Sequence, residues 1–163
     1  MIGNECINVT KPEVALELFS DRSNFKLYMG DTGLLVTQIM NSADKTDENL
    51  YKSLIIDDLG INQGMILENM VAQMLRANGH RLFYHTFLRE DGKNYHEVDF
   101  LIADGAKLKP VEVKSSGYRS HVSIDRFCEK YCSRVERSYI VYTKDLRKEG
   151  NTLYLPIYMT MFL

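Results

Sequence analysis

The spacing of hydrophobic side chains divides residues 61–163 into alternating helices and strands. Runs with a two-residue period predict β-strands, and runs in which apolar residues recur three and four positions apart predict amphipathic helices. In chain order, the predicted elements are a helix at 63–78, strands at 81–88, 97–102 and 110–114, a helix at 121–134, and strands at 138–143 and 152–155. This order predicts an α/β fold with an α-β-β-β-α-β core, in which helices flank a mixed central sheet and the last strand of the core enters by a right-handed crossover.

The first sixty residues are less periodic and predict a small helical N-terminal extension. Residues 1–11 show no periodic pattern. The predicted elements that follow are a helix from Pro12 to Phe19, a polar turn at 20–24, a strand at 25–29, a helix at 33–40 and two short helical turns before Gly60. Asp31 or Thr32 is the predicted cap of the second helix. The predicted domains are therefore 1–60 for the extension and 61–163 for the core.

The strands at 97–102 and 110–114 predict a hairpin that gathers charge on one face. Asp104-Gly105 is a strong hairpin-turn signal, and with these residues as the loop Asp99 pairs with Pro110. Because side chains alternate between the faces of a strand, two groups are expected. One face carries Glu97, Asp99, Glu112 and Lys114, and the other carries Val98, Phe100, Val111 and Val113. Neighbouring carboxylates repel each other, and a divalent cation such as Mg²⁺ would relieve that repulsion. The alternative is a solvated strand face on which an Asp and a Lys pair.

A third carboxylate belongs to the predicted helix at 63–78. At 3.6 residues per turn, Glu68 lies roughly 110° from the centre of the apolar stripe. That position is the edge of the stripe, from which a carboxylate would reach the rim of a sheet packed below. The alternative is an exposed glutamate with no role.

Composition and charge narrow the function classes. The 163 residues are 45% hydrophobic, which is enough for one well-packed domain with extra elements. The net charge of −2 excludes a uniformly basic nucleic-acid-binding chain, but residues 1–104 hold 9 basic and 16 acidic side chains, whereas 105–163 hold 11 and 6. A basic C-terminal part suits a polyanionic substrate. The three cysteines lack zinc-site spacing, and no membrane span or signal peptide is evident, so a cytoplasmic protein is predicted.

Glu68 on a helix, Asp99 on a strand and an E-x-K at 112–114 resemble the motif of the PD-(D/E)XK nuclease superfamily. The resemblance implies a restriction-endonuclease-like core in which Glu68, Asp99 and Glu112 hold Mg²⁺ or Mn²⁺. It also implies that Asp99, Glu112 and Lys114 are catalytic, with Lys114 assisting the attacking water and the scissile phosphate. Val98 stands where the proline that names the superfamily would precede Asp99.

Four collinear segments are similar to the DUF4143 domain, which follows the ATPase module in many prokaryotic AAA-type ATPases. The segments are F-K-L-Y-M-G-D-T-G-L-L at 25–35, G-M-I-L-E-N-M-V-A at 64–72, E-V-D-F-L-I at 97–102 and P-V-E-V-K-S-S at 110–116. The resemblance implies that the chain is the C-terminal portion of a longer ATPase, with 1–60 a remnant of the linker to an N-terminal ATPase module. The chain contains no G-x-x-x-x-G-K-[ST] phosphate loop, so ATP hydrolysis would belong to that module.

Three functions are consistent with these observations. The first is metal-dependent hydrolysis of phosphodiester bonds in DNA or RNA, with basic side chains near the mouth of the site tracking the backbone. Those basic residues are Lys107, Lys109, Arg119 and Arg126. The second is a non-catalytic nuclease-fold module that recognises nucleic acid or a partner protein for the attached ATPase. The third is a structural oligomerisation domain.

Overall fold

The computed structural model describes residues 3–41 and 63–163. Its elements are, in chain order, β1 (Gly3–Val9), a 3₁₀ helix (Leu16–Phe19), β2 (Ser20–Met29), α1 (Thr32–Asn41), α2 (Gln63–Ala77), β3 (Leu82–Leu88), β4 (Tyr95–Val98), β5 (Phe100–Asp104), β6 (Lys107–Val113), α3 (Val122–Lys130), β7 (Ser138–Tyr142), β8 (Arg147–Glu149), β9 (Thr152–Pro156) and a second 3₁₀ helix (Ile157–Phe162). The predicted mixed α/β character is confirmed. The two helical turns predicted before Gly60 lie outside the described residues.

The strands form two mixed sheets in place of the single predicted sheet, with orders β2-β1-β3-β4 and β5-β6-β7-β9-β8. In the first sheet, β1 is antiparallel to β2 and parallel to β3, and β4 is antiparallel to β3. In the second sheet, the β5–β6 hairpin continues into the parallel pairs β6–β7 and β7–β9, with β8 antiparallel at the edge. Only Asp99 separates β4 from β5, so nearly continuous chain passes from one sheet to the other.

The side chains change sides at Asp99. Val98 is buried in a cluster with Phe127 of α3, whereas Phe100 is buried in a cluster with Val71 of α2. In a regular strand these two residues would share a face, so Asp99 acts as the extra residue of a bulge. The prediction that Val98 and Phe100 share a face is wrong because the sequence pattern does not reveal this irregularity.

The hairpin turn is also displaced by one position along each strand. Leu101, not Asp99, opposes Pro110, and Asp104 opposes Lys107. The two-residue loop therefore consists of Gly105 and Ala106, and Gly105 has the positive φ of 56° that the turn requires. The predicted pairing of Asp99 with Pro110 is wrong.

Residues 3–29 are mainly strand, whereas a helix was predicted from Pro12. Cys6, Ile7 and Val9 of β1 are buried on both faces of the sheet, so their sequence does not alternate and gives no strand signal. The predicted helix at 12–19 is reduced to one 3₁₀ turn, and the predicted polar turn at 20–24 is the first half of β2. The predicted helix at 33–40 is present as α1, and the Asp31 side chain accepts the backbone N–H of Leu34 in its first turn.

Asn69 of α2 holds the β2–α1 connection against the helix. Its side chain accepts the N–H of Met29 at 2.8 Å and donates to the carbonyl of Met29 at 3.1 Å and to the hydroxyl of Thr32 at 2.9 Å. Asn69 is 2% exposed, and these bonds satisfy a polar group that would otherwise be costly to bury. Within residues 3–41 and 63–163, no helix is both long enough and apolar enough to span a lipid bilayer.

Candidate functional site

Lys26 of the edge strand β2 binds carboxylates from two other elements. Its ammonium lies 3.0 Å from Oε1 of Glu68 on α2 and 2.6 Å from Oε1 of Glu97 on β4. The Tyr28 hydroxyl also donates to Oε1 of Glu68. Burial lowers the pKa of Lys26, but Glu68 and Glu97 raise it by more, so the net pKa lies above its ordinary value. Glu68 is therefore part of an ion-pair network, and the alternative of an idle surface glutamate is wrong.

Asp99 occupies the junction between the two sheets. Its Oδ2 accepts the backbone N–H of Val113 at 2.8 Å. Burial, and then the nearby Glu68, raise the pKa of Asp99, whereas the Val113 N–H and the Lys26 ammonium lower it; Glu112 adds a smaller increase. The net result is a pKa raised from 3.8 to about 7. Ionisation of this carboxyl is thus opposed at neutral pH by its surroundings.

Glu112 on β6 is a buried carboxylate with one oxygen unsatisfied. The residue is 5% exposed, and its Oε1 lies 2.6 Å from the ammonium of Lys114. Its Oε2 has no hydrogen-bond partner among the described residues. Val111 and Val113 pack on the α2 side of the sheet, so Glu112, which alternates with them, projects to the α3 side. The same face carries Ile140, its partner on β7.

The structure brings Asp99 close to both other carboxylates without assembling all three. The strands β4 and β6 separate at Asp99 and Glu112, because β4 stays paired with β3 and β6 stays paired with β7. We call this point of separation the strand fork. Glu68 lies on the α2 side of this fork and Glu112 on the α3 side, so the prediction that Glu97, Asp99 and Glu112 share one face is wrong. In the described part of the chain, no three His, Cys, Asp or Glu side chains are grouped closely enough to hold a metal ion.

Two of the four basic residues predicted to track a nucleic acid form contacts in the part of β6 near the hairpin turn. Lys107 donates to the carbonyl of Ser133 at 2.8 Å, and Lys109 pairs with Asp104 at 2.7 Å. Both are at the turn end of β6, and five residues at about 3.3 Å per residue put Lys107 roughly 17 Å from Glu112. The contact of Lys107 and Lys109 with nucleic acid stays a prediction.

The other two basic residues lie on the α3 side of the molecule. Arg126 of α3 pairs with Glu129 at 3.0 Å and with Glu90 at 3.7 Å. Arg119 is exposed in the loop that follows β6. Arg119 lies within a few residues of Lys114 in the chain, and it has no carboxylate partner among the described residues. These two properties distinguish it from the other three basic residues of the predicted set.

Sequence reasoning missed three residues of this region. Lys26 and Tyr28 belong to the network, and Cys6 lies beside it as the pairing partner of Lys26 on β1. Phe25 and Leu27 are 53% and 66% exposed, so the apolar residues of β2 face solvent while Lys26 and Tyr28 point inward. The hydrophobic pattern therefore indicates the wrong face. The sequence signal that could have indicated these two inward-facing residues is a lysine and a tyrosine two positions apart within an apolar run. Burial raises the pKa of the Cys6 thiol, an effect that Lys26 opposes.

Comparison with known proteins gives one match. A family model described as "Domain of unknown function (DUF4143)" matches residues 63–160, which is more than half of the chain. No curated protein and no solved structure matches the chain. The matched segment contains Glu68, Asp99, Glu112 and Lys114, whereas Lys26 lies before it.

Proposed function

The chain belongs to the DUF4143 family, and we propose that it hydrolyses phosphodiester bonds in nucleic acid with the help of a divalent cation. The observation that carries the proposal is the buried Glu112, whose Oε2 has no partner among the described residues. Asp99 lies on the other side of the strand fork, and neighbouring carboxylates contribute to its raised pKa. A cation between the two would satisfy the free oxygen and favour ionisation of Asp99.

The residues present fit Mg²⁺ or Mn²⁺ by their chemistry, since both ions take carboxylate oxygens. Asp99 and Glu112 would hold the ion, and Glu68 would join them only after release from Lys26. A bound divalent cation supplies Lewis-acid activation of water and offsets charge on the phosphate. Lys114 keeps its ammonium 2.6 Å from Glu112, a position from which it would orient a phosphate oxygen or the attacking water.

The order of elements also supports this proposal. Helix α2 is followed by β3, by the split strand β4–β5, by β6, by α3 and by β7. The pairing is antiparallel up to β6 and parallel between β6 and β7. This arrangement is that expected for the restriction-endonuclease-like core of PD-(D/E)XK enzymes. Attachment to an N-terminal AAA-type ATPase module is a further part of the proposal, and determining the complete reading frame tests it.

Metal titration followed by a cleavage assay tests the proposed chemistry. Calorimetry with MnCl₂ should detect binding to the wild type that is lost in Asp99→Asn and Glu112→Gln but retained in Asp104→Asn, a matched change at the exposed hairpin end. Lys114→Met should retain metal binding and lose cleavage of DNA and RNA in MgCl₂. Absence of binding heat in the folded wild type, or cleavage that survives Asp99→Asn, would refute the proposal.

A second candidate is a non-catalytic module that recognises nucleic acid or a partner protein. The observation that favours it is the Lys26 ammonium, which already pairs with Glu68 and Glu97 and so occupies one carboxylate that a metal would need. This candidate predicts nucleic-acid or partner binding that persists in EDTA, with no turnover in Mg²⁺ or Mn²⁺. Metal-dependent cleavage that disappears in Lys114→Met, with folding intact, would exclude it.

A further inference from the structure

The sheet face that carries Glu112 continues into a cluster of aromatic rings. Cross-strand pairing aligns Glu112 with Ile140, Ile140 with Tyr154, and Tyr154 with Arg147, and paired residues share a face. Tyr118, from the loop after β6, packs on this row. Its ring centroid lies 5.2 Å from that of Tyr142. One face of the sheet therefore runs from Glu112 across four strands to Arg147, with Ile140 and Tyr154 buried and Arg147 exposed at its far end.

Two cations lie near the Tyr118 ring and a third, Arg119, hydrogen-bonds its hydroxyl. We call these four residues the Tyr118 patch: Tyr118, Arg119, Lys144 and Arg147. The Lys144 ammonium lies 4.9 Å from the Tyr118 centroid, and the Arg147 guanidinium lies 5.8 Å from it. Hydrogen bonding by Arg119, and then the charge of Lys144, lower the pKa of the Tyr118 hydroxyl. Cations held against aromatic rings in this way are fixed in position without being neutralised.

The acidic residues nearby leave this patch with an excess of positive charge. Arg147 pairs with Glu149 at 3.2 Å and also packs over the Tyr154 ring at 4.4 Å. Asp145 is exposed beside Lys144 in the chain. Among the described residues, neither Arg119 nor Lys144 forms an ion pair with a carboxylate, so both ammonium and guanidinium remain available to an anion.

We propose that the Tyr118 patch binds the sugar–phosphate backbone of single-stranded nucleic acid and leads it towards Glu112 and Lys114. Aromatic rings interleaved with cations are the usual means of holding single strands. Three inter-strand steps of about 4.8 Å separate Glu112 from Arg147, roughly 14 Å. The inference rests on the proposed function for the destination of the strand, but not for its binding.

Fluorescence anisotropy of labelled oligothymidylate and oligouridylate in EDTA tests the proposal, because metal-dependent cleavage is then switched off. We compare the wild type with Arg119→Gln/Lys144→Gln and with Lys93→Gln, a control at an exposed lysine in the β3–β4 turn. Each single-strand phosphate contact adds about 0.7 to the salt slope, so each lost cation should weaken binding about fivefold at roughly 0.1 M salt. The double variant should bind about 25-fold more weakly, with a slope smaller by about 1.4.

The outcomes of this experiment test single-strand binding by the Tyr118 patch independently of the proposed hydrolysis. Equal binding by the double variant and the wild type, no binding by the wild type, tighter binding of duplex than of single strands, or equal binding of polyglutamate would each overturn it. Weakened single-strand binding in the double variant, with Lys93→Gln unchanged, supports it. Retained binding by the wild type without any turnover in Mg²⁺ would refute the proposed hydrolysis while leaving this site intact.

Discussion

Replacing Asp99 with Asn should make the protein more stable at alkaline pH. The pKa of this carboxyl is 3.8 in its ordinary state and about 7 in the folded protein. Between these two values, the folded state holds a proton that the unfolded chain has released. The stability of the wild type therefore falls as pH rises through that window, by about 1.4 kcal/mol for each pH unit. The full loss above pH 7 is on the order of 4 kcal/mol, since the window spans about three pH units.

Asn cannot ionise but keeps an oxygen that accepts the Val113 N–H, so Asp99→Asn removes this loss with little change in packing. Urea unfolding at pH 4 and pH 8 measures it: the two proteins should have nearly equal free energies of unfolding at pH 4, and the variant should be more stable at pH 8. Asp104→Asn is the control of opposite sign. Lys109 holds the pKa of Asp104 below its usual range, so losing that carboxylate costs stability at pH 8 and not at low pH. An Asp99→Asn protein no more stable than the wild type at pH 8 would refute the reasoning.

Three further predictions concern the surroundings of this junction. Lys26→Met leaves Glu68 without its cation and should lower the free energy of unfolding by about 2 kcal/mol at pH 7, allowing for partial exposure. Asn69→Ala removes three hydrogen bonds of a buried side chain and should cost about 2 to 3 kcal/mol in urea unfolding. In a thiol-labelling assay, the exposed Cys132 should react quickly, whereas the buried Cys6 should react only after unfolding.

Each of these predictions has an internal comparison. Lys93→Met is a surface lysine change that should leave stability unchanged. Thr37→Ala, on the exposed face of α1, should cost far less than Asn69→Ala. Labelling of Cys6 at the rate of Cys132 in the native protein would show that β1 is not buried in the first sheet. A Lys26→Met protein as stable as the wild type would show that the ion pairs contribute little.

Helix α2 could be predicted because its burial is one-sided, whereas β7 is buried at every position and was predicted from its continuous apolar run. Ile66, Val71 and Leu75 of α2 recur at helical spacing and are buried on one face, as expected for an amphipathic helix. The strand β1 could not be predicted, since burial on both sides removes the two-residue period. The bulge at Asp99 is equally invisible, because a polar residue between Val98 and Phe100 fits a regular strand as well as an irregular one.

For the candidate site, the sequence predicted which residues are neighbours in the hairpin but not which faces they occupy. Asp99 immediately precedes β5, and the E-x-K at 112–114 lies at the end of the neighbouring strand β6, as their spacing in the hairpin requires. Their faces could not be derived, because a single extra residue reverses the alternation. The contribution of Lys26 depends on a contact with Glu68 across 42 residues of sequence. Such a long-range pairing follows from the sheet order, which local patterns do not encode.

The parallel pairing of β1 with β3 has a practical consequence for preparing this protein. A fragment trimmed to residues 63–160 would keep every position that the family model matches and yet lose the whole of β1 and β2. The backbone amides and carbonyls of Leu82 to Tyr84 would then be open to a strand from another molecule, a known cause of self-association. Assays on such a fragment would measure aggregation in place of the chemistry, and the N-terminal strands therefore belong in every sample.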